Sequence, residues 1–201
     1  MSPSASRPAL VLATRNEHKL EEVRAILVGY EVLALPDEVV LPPEDGATFA
    51  ANAAAKARAA HAATATAVIA DDSGIEAAAL GGRPGVRSAR YAGPDASDEQ
   101  NLALLLDEVG AGDDRRVAYV CAIVHVAVDG TETAREARCE GMLATEPRGG
   151  GGFGYDPAFV PVDFDDGRTM AELTAAEKHS ISHRGRALRA IAAAIGAEVR
   201  S

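Results

Sequence analysis

The run Val117–Val128 (VAYVCAIVHVAV) is apolar at odd and even positions alike. Successive side chains on a strand point to opposite faces, so a strand of this kind needs structure packed above and below its sheet. Ala9–Ala13 (ALVLA) and Ala67–Ala70 (AVIA) have the same two-faced character in shorter form. Each runs directly into polar residues, Thr14-Arg15-Asn16 in the first case and Asp71-Asp72-Ser73-Gly74 in the second. After the first, Asn16 is placed to cap a helix in which Leu20, Val23 and Leu27 recur at helical spacing. Thr48 caps a second, Ala-rich helix reaching about Ala63, beyond a short strand at Glu31–Ala34 and a Pro-broken loop.

The middle of the chain reads differently. Ser97 with Gln100 forms a capping box before Leu102, Leu105, Leu106 and Val109. Asp129-Gly130 predicts a two-residue hairpin that returns Thr131–Glu140 with a charged outer face. In that register Cys121 stands opposite Arg138 and Cys139 opposite Val120, on opposite faces, which argues against a disulfide. Asp166-Gly167 predicts a second hairpin between Phe159–Phe164 and Arg168–Leu173. A capping box at Thr174 and Glu177 precedes a last helix, His183–Ile195, ended by Gly196. Helices alternating with strands, followed by hairpins, predict an α/β fold with a mixed β-sheet flanked by helices. Residues 9–201 read as a single domain after a disordered tail, Met1–Pro8.

Composition narrows the function. With 47% hydrophobic and 25% charged residues, the 201-residue chain is an ordinary globular protein. A net charge of −10 argues against nucleic acid as a main partner, while a small polyphosphate needs only a local cluster of cations. No apolar run approaches the roughly 20 residues that span a bilayer, and Met1–Pro8 lacks the apolar core of a secretory signal. The expectation is a cytoplasmic protein with reduced cysteines and no membrane partner.

Five polar segments stand at element ends, where α/β folds gather ligands. Thr14-Arg15-Asn16-Glu17-His18-Lys19 enters a helix from a buried strand and offers N–H groups, a hydroxyl and a lysine to a phosphate; ordinary capping is the alternative. Glu44 lies in a loop, and Asn52 and Lys56 share one helix face, suiting a hard cation and phosphate oxygens or, more simply, solvent. Asp71-Asp72-Ser73-Gly74 places two carboxylates at a strand end, where one can bind a metal and one a water; an Asx turn is the alternative. Gly149–Pro157 (GGGGFGYDP) presents Phe153 between glycines, free to stack on a nucleobase or, with Tyr155, to pack in the core. In Glu177–Arg184, Ser182 caps a helix whose first turn carries His183 and Arg184, cations at a dipole end that disfavours them without an electronegative partner.

Together the blocks ATRNEHKLEEV (13–23), EDGATFAANAAAKA (44–57), DDSGIEAAALGGRPGVRSARYAG (71–93), GFGYDPAF (152–159) and AELTAAEKHSISHRGRAL (171–188) resemble the Ham1-like inosine triphosphatases, the XTP/dITP diphosphatases. The resemblance implies two lobes with an active-site cleft between them, a homodimer, Mg²⁺, and hydrolysis of XTP, ITP or dITP to the monophosphate and pyrophosphate. By position, Thr14, Arg15, Asn16, Glu17, His18 and Lys19 would bind the triphosphate with Lys56 and Ser73. Asp72 would accept the proton and hold metal with Glu44. Phe153 would stack on the base, with Gly154 and Tyr155 beside it, and Asp156, Lys178, His183 and Arg184 would read its edge. Arg15 where many relatives carry Gly, Ala51 where many carry Glu, and His179 in place of a common Asn or Ser are departures from the pattern. A broader or Maf-like nucleotide pyrophosphatase and a non-catalytic nucleotide sensor are the competing functions.

Overall fold

The computed structural model describes residues 7–197. The expected tail therefore lies outside the described residues except for Arg7 and Pro8, and the Pro8 carbonyl accepts a hydrogen bond from the Glu31 N–H at 3.0 Å. The strands are β1 (Ala9–Leu12), β2 (Glu31–Ala34), β3 (Val68–Ala77), β4 (Arg116–Val126), β5 (Glu132–Leu143) and β6 (Phe159–Pro161). The helices are α1 (Glu17–Ile26), α2 (Phe49–Thr64), α3 (Asp98–Glu108), α4 (Ala175–Ile181) and α5 (His183–Ile195). The six strands form one sheet in the order β2-β1-β3-β4-β5-β6. β1 pairs in parallel with β2 and with β3, whereas β5 and β6 are antiparallel. The sheet is mixed, as the change from βα units to hairpins requires. No helix among the described residues is long and apolar enough to cross a membrane.

The chain divides into two compact units. The first takes residues up to Asp72, then Ala122–Glu136, then residues from Ala187 onward. Its core joins Val11, Val68, Ala70, Val124 and Val126 of the strands to Ala53, Ala57 and Ala60 of α2, all three of which have no exposed surface. Alanines spaced four and three apart make one smooth helix face. The second unit takes Ser73–Cys121 and Ala137–Arg186. Its core includes Ile75, Leu102, Leu105, Val117, Tyr119, Phe159 and Met170. Both cysteines are free and buried.

Capping chemistry sets the helix starts. The side chains of Asn16, Thr48, Ser97 and Thr174 each accept a backbone N–H of the following helix, and the last two complete reciprocal capping boxes. Three expectations need correction. The first hairpin has a three-residue loop: Gly130 N–H donates to Ala127 O, and Ala127 N–H donates to Thr131 O, with Gly130 at φ +85° closing a bulge. The strand of Ala67–Ala70 does not stop at Asp71; it continues to Ala77, because the polar residues find partners inside the protein, as described below. Arg168–Leu173 is not a strand: Thr169 and Glu172 form a capping box around the short 3-10 turn Met170–Glu172, and Arg168 pairs with Asp166 and Glu177.

At Gly141, paired with Pro161 across β5 and β6, an added Cβ would stand 2.5 Å from the Phe159 ring and 2.7 Å from the Val160 carbonyl. Gly141→Ala should therefore cost about 1–3 kcal/mol, the usual penalty of overpacking, in a denaturant titration of the full chain. An unchanged midpoint would mean that β6 is not seated on the core in this register.

Candidate active site

In the first unit, α1 begins straight after β1, so its first N–H groups and positive dipole end lie at the C-terminal edge of the sheet. Thr14 Oγ1 accepts the Asn16 N–H at 3.2 Å, and Asn16 Oδ1 accepts the Lys19 N–H at 3.1 Å. Glu17 and His18 are exposed in the first turn. Lys19 turns inward, its ammonium 3.0 Å from Asp71 Oδ2. Arg15 is engaged elsewhere: its guanidinium donates to the carbonyls of Leu35, Pro36, Asp37 and Val39 at 2.8–3.1 Å. It ties the α1 entrance to the loop after β2.

Asp71 and Asp72 are 1% and 5% exposed within β3, so their charges need compensation. Lys56, itself 5% exposed, donates to the Asp71 carbonyl at 2.7 Å and pairs with Glu44. That disposes of the solvated-lysine reading of this residue. Asn52 is oriented by the Gly46 N–H, which donates to its Oδ1, and it donates from Nδ2 to Asp72 Oδ2, both at 2.8 Å. Burial and the nearby Glu44 carboxylate hold the Asp72 carboxyl above its ordinary pKa, against the opposing pull of Asn52, Lys56 and Lys19. The result is a carboxylate with raised proton affinity beside two lysines.

The second unit collects the other predicted residues. Ser73, the residue after Asp72, accepts a hydrogen bond from Arg184 Nη2 at 3.0 Å. Arg184 and His183 stand in the first turn of α5, buried, where Ser182 Oγ caps the Gly185 N–H at 3.1 Å. Asp156 is 3% exposed; its Oδ2 accepts the Phe153 N–H at 3.0 Å and Lys178 Nζ at 2.8 Å. The Lys178 ammonium lies 4.8 Å from the centre of the half-buried Phe153 ring, and the Arg184 guanidinium 5.9 Å away. The loop is held from three directions, since Gly154 N–H also donates to Asp98 at 2.7 Å and Tyr155 OH to the Ser88 carbonyl at 2.7 Å.

The structure separates Phe153 from Tyr155. Tyr155 is a core residue, 5% exposed, whereas Phe153 stays outside the hydrophobic core with its ring among cations. Asp98 and Tyr119, which supports Asp156 and His183, were not singled out in the sequence. Asp98 reads there as an ordinary first-turn acid of α3, and Tyr119 as one more apolar residue of β4.

The sequence model of the Ham1 family matches residues 10–194. The chain belongs to the Ham1 family. A relative from Mycobacterium tuberculosis, named dITP/XTP pyrophosphatase, is 50% identical over 188 residues, covering 89% of this chain and 91% of the relative. The Ham1 protein of Staphylococcus aureus has a structure similar at a TM-score of 0.84 and 37% identity, covering 94% of this chain and 98% of that one. A crystal structure of the nucleoside-triphosphatase, dITP/XTP pyrophosphatase, of Mycobacterium abscessus matches at a TM-score of 0.72 and 41% identity, covering 91% and 97%. The mixed α/β fold is thus the Ham1 fold.

A carboxyl whose folded pKa is raised lowers stability as pH rises through its ordinary value, and the loss is complete above the raised value. Asp72→Asn keeps an acceptor for Asn52 and removes the charge, so the variant should melt higher than the parent chain at pH 7 in a thermal unfolding scan without added metal. The gain should vanish below the ordinary carboxylate range. For the aromatic pair, Tyr155→Ala should cost about 3–5 kcal/mol of stability and Phe153→Ala far less, compared by thermal unfolding. Equal losses would return Phe153 to the core.

Proposed function

We propose that this Ham1-family chain hydrolyses non-canonical purine nucleoside triphosphates, XTP, ITP and dITP, to the monophosphate and pyrophosphate. The observation that carries the reading is the buried Asp72 carboxylate of raised proton affinity, set beside Lys19 and Lys56 in a chain of net charge −10. The names of the mycobacterial relatives support it.

In this reading Asp72 accepts the proton of a water whose oxygen attacks the α-phosphorus, and the α–β anhydride bond breaks with pyrophosphate as leaving group. Lys19 and Lys56 neutralise phosphate oxygens, and the N–H groups at the start of α1, with the Thr14 hydroxyl and Ser73, supply further donors. Asp72 and Glu44 are oxygen donors that repel one another, and relief of that repulsion is what a hard divalent cation offers. Mg²⁺ held there would supply charge neutralisation on the phosphates. Arg15 serves by fixing the approach to α1 rather than by meeting phosphate, given its four carbonyl partners.

The base falls to the second group. Phe153 stacks, and Lys178, His183 and Arg184 bear on the purine edge, with Asp156 orienting Lys178 and the Gly154 N–H and Tyr155 hydroxyl holding the loop. Hypoxanthine and xanthine carry a 6-oxo acceptor where adenine has an amino donor, so a buried donor aimed there is left unpaired by adenine. One catalytic domain over residues 9–201, a homodimer and a cytoplasmic location complete the proposal; the two buried free thiols suit a reducing compartment.

Product analysis with Mg²⁺ across ITP, dITP, XTP, ATP and GTP tests it. The expected result is IMP and pyrophosphate from ITP, ATP and GTP being spared, and loss of turnover by at least about a hundredfold in Asp72→Asn. Release of inorganic phosphate, or indifference to the base, overturns the proposal.

A further inference from the structure

Three rings lie in a stack within the second unit. Tyr119 of β4 is in the middle, its centroid 4.3 Å from Phe159 and 4.6 Å from His183, with interplanar angles of 20° and 19°. Phe159 has no exposed surface, so the stack stands on the core and His183 lies at its outer end. The Tyr119 hydroxyl donates to Asp156 Oδ1 at 3.1 Å. Burial and the Asp156 carboxylate hold the phenol well above its usual range, so it remains a proton donor near neutral pH. A phenylalanine would occupy the same ring space, and a hydroxyl buried at this depth costs free energy unless it is used.

Its use is visible in what Asp156 does. The other carboxylate oxygen takes the Phe153 N–H and the Lys178 ammonium. The carboxylate leaves no room behind it, because a Cβ on Gly152, at φ +73°, would stand 2.1 Å from Asp156 Oδ2. One tyrosine therefore acts on both sides of the group: its ring face lies against His183, and its hydroxyl fixes the carboxylate that holds Phe153 and Lys178.

We propose that Tyr119 is a positioning residue for purine recognition, its hydroxyl setting Phe153 and Lys178 through Asp156. This inference rests on the assignment of that group to the base. Tyr119 is only 6% exposed and acts through the neighbours it holds. Its loss should act on affinity and base preference and leave the chemical step alone.

The test is calorimetric titration of IMP and AMP into the full-length protein, with ITP kinetics in parallel. Tyr119→Phe keeps both ring stacks and removes only the hydrogen bond. It should weaken IMP binding and raise the KM for ITP about tenfold, the size of one hydrogen bond to a charged group, with kcat unchanged. Phe159→Leu, which loosens the base of the stack but spares the hydroxyl, should lower the melting temperature and leave IMP affinity in place. A wild-type preference for IMP that Tyr119→Phe retains at unchanged affinity overturns the positioning role alone. Equal affinity losses in Tyr119→Phe and Phe159→Leu overturn it too, in favour of general packing. A wild-type protein that binds IMP no better than AMP overturns the base assignment, and the role of Tyr119 with it.

Discussion

Two adjacent aspartates inside a strand are the constraint around which the first unit is organised. A buried carboxylate is tolerated only with partners, and removal of a partner leaves an uncompensated charge. Asp71 receives Lys19 from α1 on its carboxylate and Lys56 from α2 on its carbonyl; Asp72 receives Asn52 from α2. Both helices are thus tied to β3 by buried polar and charged contacts. This also explains why β3 runs to Ala77 as an unbroken strand through a sequence that reads locally as a turn.

The two groups of polar residues differ in construction. Around Asp72, burial and Glu44 outweigh Asn52, Lys56 and Lys19, and the pKa is raised. A site left in that state favours a cation or a proton. Around Asp156 the carboxylate is saturated by a tyrosine hydroxyl, a backbone N–H and an ammonium, so it acts as a fixed anchor. Under the proposed function, the first state serves water activation and the second serves discrimination between purines.

Much of this was legible in the sequence because the signals are local. Helix caps at Asn16, Thr48, Ser97 and Thr174 depend on residues within four positions, and all four are made. The clustering of polar residues at element ends follows equally from short-range pattern. What escaped was set by distance or by near-degenerate local choices. Arg15 reaches carbonyls 20–24 residues away, which no spacing rule reveals. Asp-Gly serves two- and three-residue hairpins alike, so the loop at Gly130 came out one residue longer. Tyr119 reads as one apolar residue among many until the fold brings Asp156 and His183 to it.

The smooth alanine face of α2 has a consequence for Lys56. Ala53, Ala57 and Ala60 hold the helix against the strands at the distance of a methyl group, and Lys56 projects from that same buried side. The reach of the ammonium to the Asp71 carbonyl is therefore gauged by three methyls. A helix with longer side chains could re-pack around a change; this one has no slack, and one extra carbon on its inner face would be read out as a displaced charge several residues away.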